Sequence, residues 1–159
     1  MLQHTGLKTK PTRVQKANHS LYMAAAFAFV FSPDGKLLLL KEDEKKRKYM
    51  WDLPGGTLSN SEEPLHGLHR EVREETGLHI DLMSPTCWLK RDFHESGNPI
   101  LVSFYLATCR TSHVTVSEEH TSYRWVTPVQ YINEQLKVSA EEPIVVDCFT
   151  RYRELAAHT

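Results

Sequence analysis

Three glutamates, Glu71, Glu74 and Glu75, stand at positions i, i+3 and i+4, with Arg70 and Arg73 beside them and Glu62 a short way upstream. On a helix, at ~100° per residue, that spacing gathers the three carboxylates on one flank. Like charges so placed repel by a few tenths of a kcal/mol per pair in water, and by more where water is partly excluded. The two arginines can offset part of this. A hard divalent cation offsets more, because Mg²⁺ takes carboxylate oxygens together with waters and phosphate oxygens. Magnesium is the economical reading, and the chemistry within reach is metal-assisted work on a phosphate group. A Glu/Arg-rich helix is also what a solvated, ion-paired surface looks like, and the helix composition alone favours that plainer reading.

The flanks shift the balance. Read as a whole, the stretch is Gly56, five residues, Glu62, seven residues, then Arg70-Glu71-Val72-Arg73-Glu74-Glu75-Thr76-Gly77-Leu78. It resembles the Nudix box of the Nudix hydrolase family, with every defining position filled, and looser similarity extends over most of 21–137. Restricted positions held in register over such a length are a far more specific signal than a lone glycine motif.

The resemblance implies an α/β/α sandwich with a mixed β-sheet between helices. It implies a hydrolase that cleaves a nucleoside diphosphate linked to another moiety into a nucleoside monophosphate and the phosphorylated remainder, with Mg²⁺ as cofactor and Mn²⁺ as a substitute. It assigns metal ligation to Glu71, Glu74, Glu75 and the carbonyl of Gly56, and it has Arg70 orient a box glutamate through charge-assisted hydrogen bonds. Glu62 and Arg73 take structural roles. The general base of the family is either a box glutamate or a glutamate in a loop well beyond the box. Glu119, six residues before Trp125, resembles the second kind, and neighbouring Glu118 is a weaker candidate. His120 could carry a proton, as histidine side chains in general can near neutral pH, although nine histidines along the chain make any single one a poor choice. Some branches of the family carry a marker residue shortly past the box, a proline for ADP-ribose or a tyrosine for dinucleoside polyphosphates. Here that region reads Asp92-Phe93-His94-Glu95, with neither marker, so the nucleotide is left open.

These residues need a frame. Pro64 suits an early helical position, Leu65, Leu68 and Val72 form an apolar stripe next to the carboxylate flank, and Gly77 ends a helix over 65–76. The stripe docks on a core, and Glu74 and Glu75 fall outside it. Upstream, the apolar run 21–31, the turn signal Ser32-Pro33-Asp34-Gly35 and the run Leu37–Leu40 predict a buried hairpin. Downstream, a strand within 79–93, a turn over 95–99 and a strand over 100–109 predict a second hairpin. Residues 113–116 alternate weakly, 123–126 form a short strand, a helix starts at Pro128 and runs to about 136, and 140–158 form an amphipathic helix with Ile144, Val145, Phe149, Tyr152 and Leu155 on its apolar side.

Between the first hairpin and the box, Lys41–Lys48 is a charge run whose plainest role is a solvated loop. Arg47 within it could clamp substrate phosphate. Trp51 could stack on a base, with core packing the stronger alternative, and Tyr22, Phe27, Trp88 and Phe104 are further aromatic candidates of the same ambiguous kind. Gly55 and Gly56 let the backbone turn tightly and approach a metal or phosphate.

At 159 residues the chain fits one domain over 21–159, preceded by a polar, basic arm over 1–20. That arm is read as loose, with a reach over a neighbouring subunit in a homodimer as the alternative. A net charge of −1, with 40% hydrophobic and 25% charged residues, predicts no general attraction to nucleic acid duplexes or anionic membranes; the small-molecule nucleotide substrate is what the resemblance implies. The longest apolar run is about half the length that a membrane helix needs. Cys87, Cys109 and Cys148, widely spaced and odd in number, read as free thiols in a reducing compartment, and the expected location is cytoplasmic. Three rival classes are weighed: a non-catalytic nucleotide-sensing or interaction module on the same fold, a diphosphate-linked isomerase, and a structural domain with an ion-paired helix. The complete box argues against the first and the third, and the short chain and the lack of a well-placed cysteine in the box region argue against the second.

Overall fold

A computed structural model describes residues 21–42 and 50–158, apart from the side chains of 85–87. The arm over 1–20, most of the charge run with Arg47, and the Cys87 thiol lie outside the described residues. Among the described residues a seven-stranded mixed sheet is laid out as β3-β2-β1-β6-β5, with β4 added beside β1 and β7 beside β2. Its strands are β1 Met23–Phe31, β2 Leu37–Glu42, β3 Trp51–Asp52, β4 Gly55–Thr57, β5 Ile80–Phe93, β6 Pro99–Cys109 and β7 His120–Val126. The helices are α1 Pro64–Thr76, α2 Pro128–Asn133 and α3 Glu142–Ala156.

β1 is central because both of its faces can be buried. Its alternate residues Ala26, Ala28 and Val30 join Leu38 and Leu40 under Leu68 and Val72 of α1. The others, Phe29 and Phe31, join Leu37, Leu39 and Phe104 under Val145, Cys148 and Phe149 of α3. Alanines on one face let α1 approach closely, whereas the other face is filled by aromatics, with Tyr152 stacked on Phe31 at 3.8 Å. Trp88 Nε1 donates to Asp147 at 2.6 Å and ties α3 to β5. The α/β/α sandwich is therefore as expected, and Cys109 and Cys148 are buried free thiols. Among the described residues no helix is long and apolar enough to cross a membrane.

Three details differ from the sequence reading. The first hairpin has its turn, closed by Ser32 and Lys36, but β1 and β2 pair only at Phe31 and Leu37. Beyond that rung β4 takes over, pairing Ala25, Ala26 and Phe27 with Thr57, Gly56 and Gly55. The edge of β1 is thus reserved for the glycine pair. Leu65, in the first turn of α1, is 40% exposed instead of docked, while Leu68 and Val72 are fully buried. Residues 113–116 form no strand. Their backbone runs beside the end of α1, where Thr115 N donates to Thr76 O and Ser117 N to Glu75 O, satisfying carbonyls that a helix terminus leaves open.

Candidate functional site

α1 begins at Pro64 and stops at Gly77, whose φ of +71° suits the left-handed residue that closes a helix. That fixed length carries Arg70 to the centre of a carboxylate fan. Its Nε and Nη2 donate to Glu62 at 2.8 and 3.0 Å, and its Nη1 to Glu71 at 2.9 Å and Glu74 at 3.0 Å. Glu62 also accepts from Ser59 N, and the Arg70 guanidinium holds its carboxyl down at about 2. One arginine therefore offsets most of the repulsion anticipated for the cluster. Arg73 stands exposed on the outer side of the helix, where it lines a shallow depression with His69 and His79.

Glu75 corrects the sequence reading most sharply. Helical spacing puts it on one flank with Glu71 and Glu74, outside the apolar stripe, yet it is 7% exposed while Glu74 is open to solvent. The reason is β4: Glu75 turns inward and accepts a 2.8 Å hydrogen bond from Gly55 N, which the chain reversal at Gly55, with φ +142°, aims at it. His120 Nε2 lies 3.7 Å from its other oxygen. Burial pushes the Glu75 carboxyl up to about 8; the Gly55 N–H opposes this, and the negative charges of Glu71, Glu119 and Glu42 add to it.

Gly56 faces Glu71. A Cβ on Gly56 would lie 3.2 Å from both Glu71 carboxylate oxygens, so the missing side chain leaves a cradle between the β4 backbone and this carboxylate. Among the described residues no three acidic, histidine or cysteine side chains converge into a ready-made metal cage. The donors nevertheless suit a hard cation that keeps waters and borrows ligand oxygens, because only one or two protein carboxylates are then required.

The structure gathers Glu62, Arg70, Glu71, Glu75 and Gly56 around the junction of α1 with β4. Glu119 is exposed in the turn before β7, close enough for its charge to be felt at Glu75. A cleft of about 210 Å³ opens beside Gly56 on the α3 face of the sheet, lined among others by Phe27, Lys90, Phe93 and His94. Trp51 and Tyr22 are not among its lining residues: Trp51 is half-buried against the core, and Tyr22 lies under the Arg91 guanidinium at 5.6 Å. Phe104 is core, and Trp88 is committed to Asp147. Sequence reasoning missed the Gly55 N–H, Phe93 as an aromatic at the cleft and the packing of His120 against Glu75. The paired glycines were the available signal for the first; nothing local signals the other two.

The Glu75 shift has a consequence for stability. Its carboxyl titrates near 8 in the fold against a reference value of 4.5. The folded state therefore holds a proton that the unfolded chain releases between those values, and stability falls as pH rises through that window. We expect the protein in EDTA to lose thermal stability between about pH 5 and pH 9, by up to a few kcal/mol. Saturating Mg²⁺ should flatten the loss. A stability in EDTA that rises steadily across the same range would contradict this.

A NUDIX domain model matches residues 21–148. A MutT-like protein of Streptomyces ambofaciens is 28% identical over 120 residues, covering 76% of this chain and 73% of that protein. The nucleoside triphosphatase NudI of Escherichia coli is 26% identical over 122 residues, covering 70% of this chain and 86% of that protein. Among solved structures, a MutT protein from Methanosarcina mazei Go1 is similar at a TM-score of 0.63 and 25% identity, over 87% of this chain and 97% of that one.

Proposed function

The chain belongs to the NUDIX domain family, and from that premise we propose that it is a Mg²⁺-dependent hydrolase of nucleoside diphosphates linked to another moiety, releasing a nucleoside monophosphate and the phosphorylated remainder. The observation that carries this reading is the buried Glu75 carboxylate, held against Gly55 N and under the negative charge of Glu71, the acid that the Gly56 cradle faces. Desolvating a carboxylate among other negative charges is costly unless a cation joins it.

In this reading Glu71, Glu75 and the Gly56 carbonyl hold the metal, with Glu74 at the outer edge. When bound, the metal neutralises phosphate charge and lowers the pKa of a coordinated water. Arg70 fixes Glu71 and Glu74 in place through its three-way hydrogen bonding. The Gly55 N–H aims Glu75, and the cleft beside Gly56 takes the nucleoside. Glu119 is the proposed general base, next to the buried carboxylate. If so, Glu119→Gln removes the acid limb of the pH–rate profile, whereas an unchanged limb returns the role to a glutamate of α1.

The Escherichia coli relative is named a nucleoside triphosphatase, and a nucleoside triphosphate is itself a nucleoside diphosphate bearing a further phosphate. The test is therefore a product screen over nucleoside triphosphates, ADP-ribose, dinucleoside polyphosphates and nucleotide sugars, with Mg²⁺ or Mn²⁺ and with EDTA. Metal-dependent release of a nucleoside monophosphate supports the reading. Consumption of none of them overturns it.

A further inference from the structure

The turn joining β5 to β6 is built around the imidazole of His94. Ser96 N donates to its Nδ1 at 3.2 Å, and Ser96 Oγ lies 3.0 Å from the same nitrogen while accepting from Asn98 Nδ2 at 3.0 Å. The backbone closes around the ring, with His94 N donating to Asn98 O at 2.9 Å and Gly97 N to His94 O at 2.8 Å. A backbone N–H can only donate. Nδ1 is therefore the acceptor, and the proton of the neutral ring resides on Nε2.

His94 shares the cleft with Gly56 and Phe93. The charges at its end of the cleft argue against a phosphate there. Asp92 and Glu95 line it, and the Lys90 ammonium is held by Asp92 at 2.8 Å and by Ser139 O at 3.0 Å. Arg91, 5.8 Å from the Phe93 ring centre, is not a lining residue. A flat, neutral group with an acceptor on its edge fits better. Phe93 is 64% exposed, an aromatic face of the kind a stacked base would cover.

We propose that His94 is a specificity-determining residue, whose Nε2–H, held in that tautomer by Ser96, donates to an acceptor on the edge of the substrate's nucleobase as the base stacks on Phe93. This rests on reading the cleft as the nucleoside pocket. A donor built to meet a base acceptor is felt in binding and leaves the reacting phosphates untouched.

The test compares wild type, His94→Phe and His94→Gln on GTP, ATP, CTP and UTP, with inorganic pyrophosphate as a base-free inhibitor. His94→Phe should raise KM about 10-fold or more for at least one nucleotide, leave kcat within about twofold and leave inhibition by pyrophosphate unchanged. His94→Gln, which keeps an N–H donor, should recover part of the loss. ¹⁵N NMR of the wild type should show the His94 proton on Nε2. Unchanged KM values, a parallel loss of kcat and pyrophosphate affinity, or a proton on Nδ1 would each overturn the assignment. If the wild type turns over none of the four, the hydrolase reading fails separately, and the Kd values of the same nucleotides for the three proteins still decide for or against His94.

Discussion

Replacing Glu75 with Gln should lower turnover by at least ~10²-fold, on the scale of removing one preorganised electrostatic stabiliser, and should not unfold the protein. Glu75 is buried, so an intact fold does not follow from exposure. It follows from charge. Burial, partly opposed by the Gly55 N–H, raises the carboxyl to about 8, so the metal-free fold already holds it neutral at pH 7, and a glutamine amide has nearly the same shape. The amide oxygen can still accept from Gly55 N. The melting temperature in EDTA should accordingly match or exceed that of the wild type, while the increase produced by Mg²⁺ should largely disappear. Wild-type turnover in Glu75→Gln would remove this residue from the metal site.

Gly55→Ala should be the most damaging single-methyl change in the site. Gly55 sits at φ +142°, a conformation that L residues rarely adopt, and a Cβ there would overlap the Ala26 carbonyl oxygen and lie 2.6 Å from Phe27 Cα. Both neighbours belong to the central strand and cannot yield without moving β1. Backbone strain alone costs on the order of 1–3 kcal/mol, and the overlap adds to it. β4 would be expected to detach, taking with it the N–H that aims Glu75, so stability and Mg²⁺ binding should fall together. Gly97→Ala is the control: its φ is +82° but nothing lies within 4 Å of the added carbon, so only about 1–2 kcal/mol of left-handed strain is expected. Equal midpoints of denaturation for the two variants would contradict the close packing of β4 on β1.

What the sequence made legible is what short-range physics controls. Pro64 and Gly77 bracket α1, turn residues separate β5 from β6, and the spacing of Glu62, Arg70 and Glu71 survives as direct hydrogen bonds. The misreadings share a cause, which is long-range placement. Helical spacing put Glu75 beside Glu74, but its burial depends on β4, twenty positions earlier, filling the edge of β1. The same intrusion of β4 limits the β1–β2 pairing to one rung, which no turn signal reveals. Leu65 fits the apolar stripe by angle, yet it is 40% exposed, since helical angle alone does not say which turns a core covers. His120 is one of nine histidines and becomes distinctive only when residues 115–117 are stitched along the end of α1. Trp51 and Tyr22 do not line the cleft beside Gly56, whereas Phe93 does; aromatic type alone does not signal which side chain the fold brings to a cleft.

The central claim is that the inward-turned acids of α1, over the bare backbone at Gly56, exist to hold a divalent cation. Mn²⁺ titration followed by electron paramagnetic resonance addresses it without any assumption about substrate. We predict saturable binding to the wild type, weakened at least ~10-fold in Glu71→Gln and in Glu75→Gln alike. Absence of saturable binding, or equal affinity in all three proteins, would contradict the account.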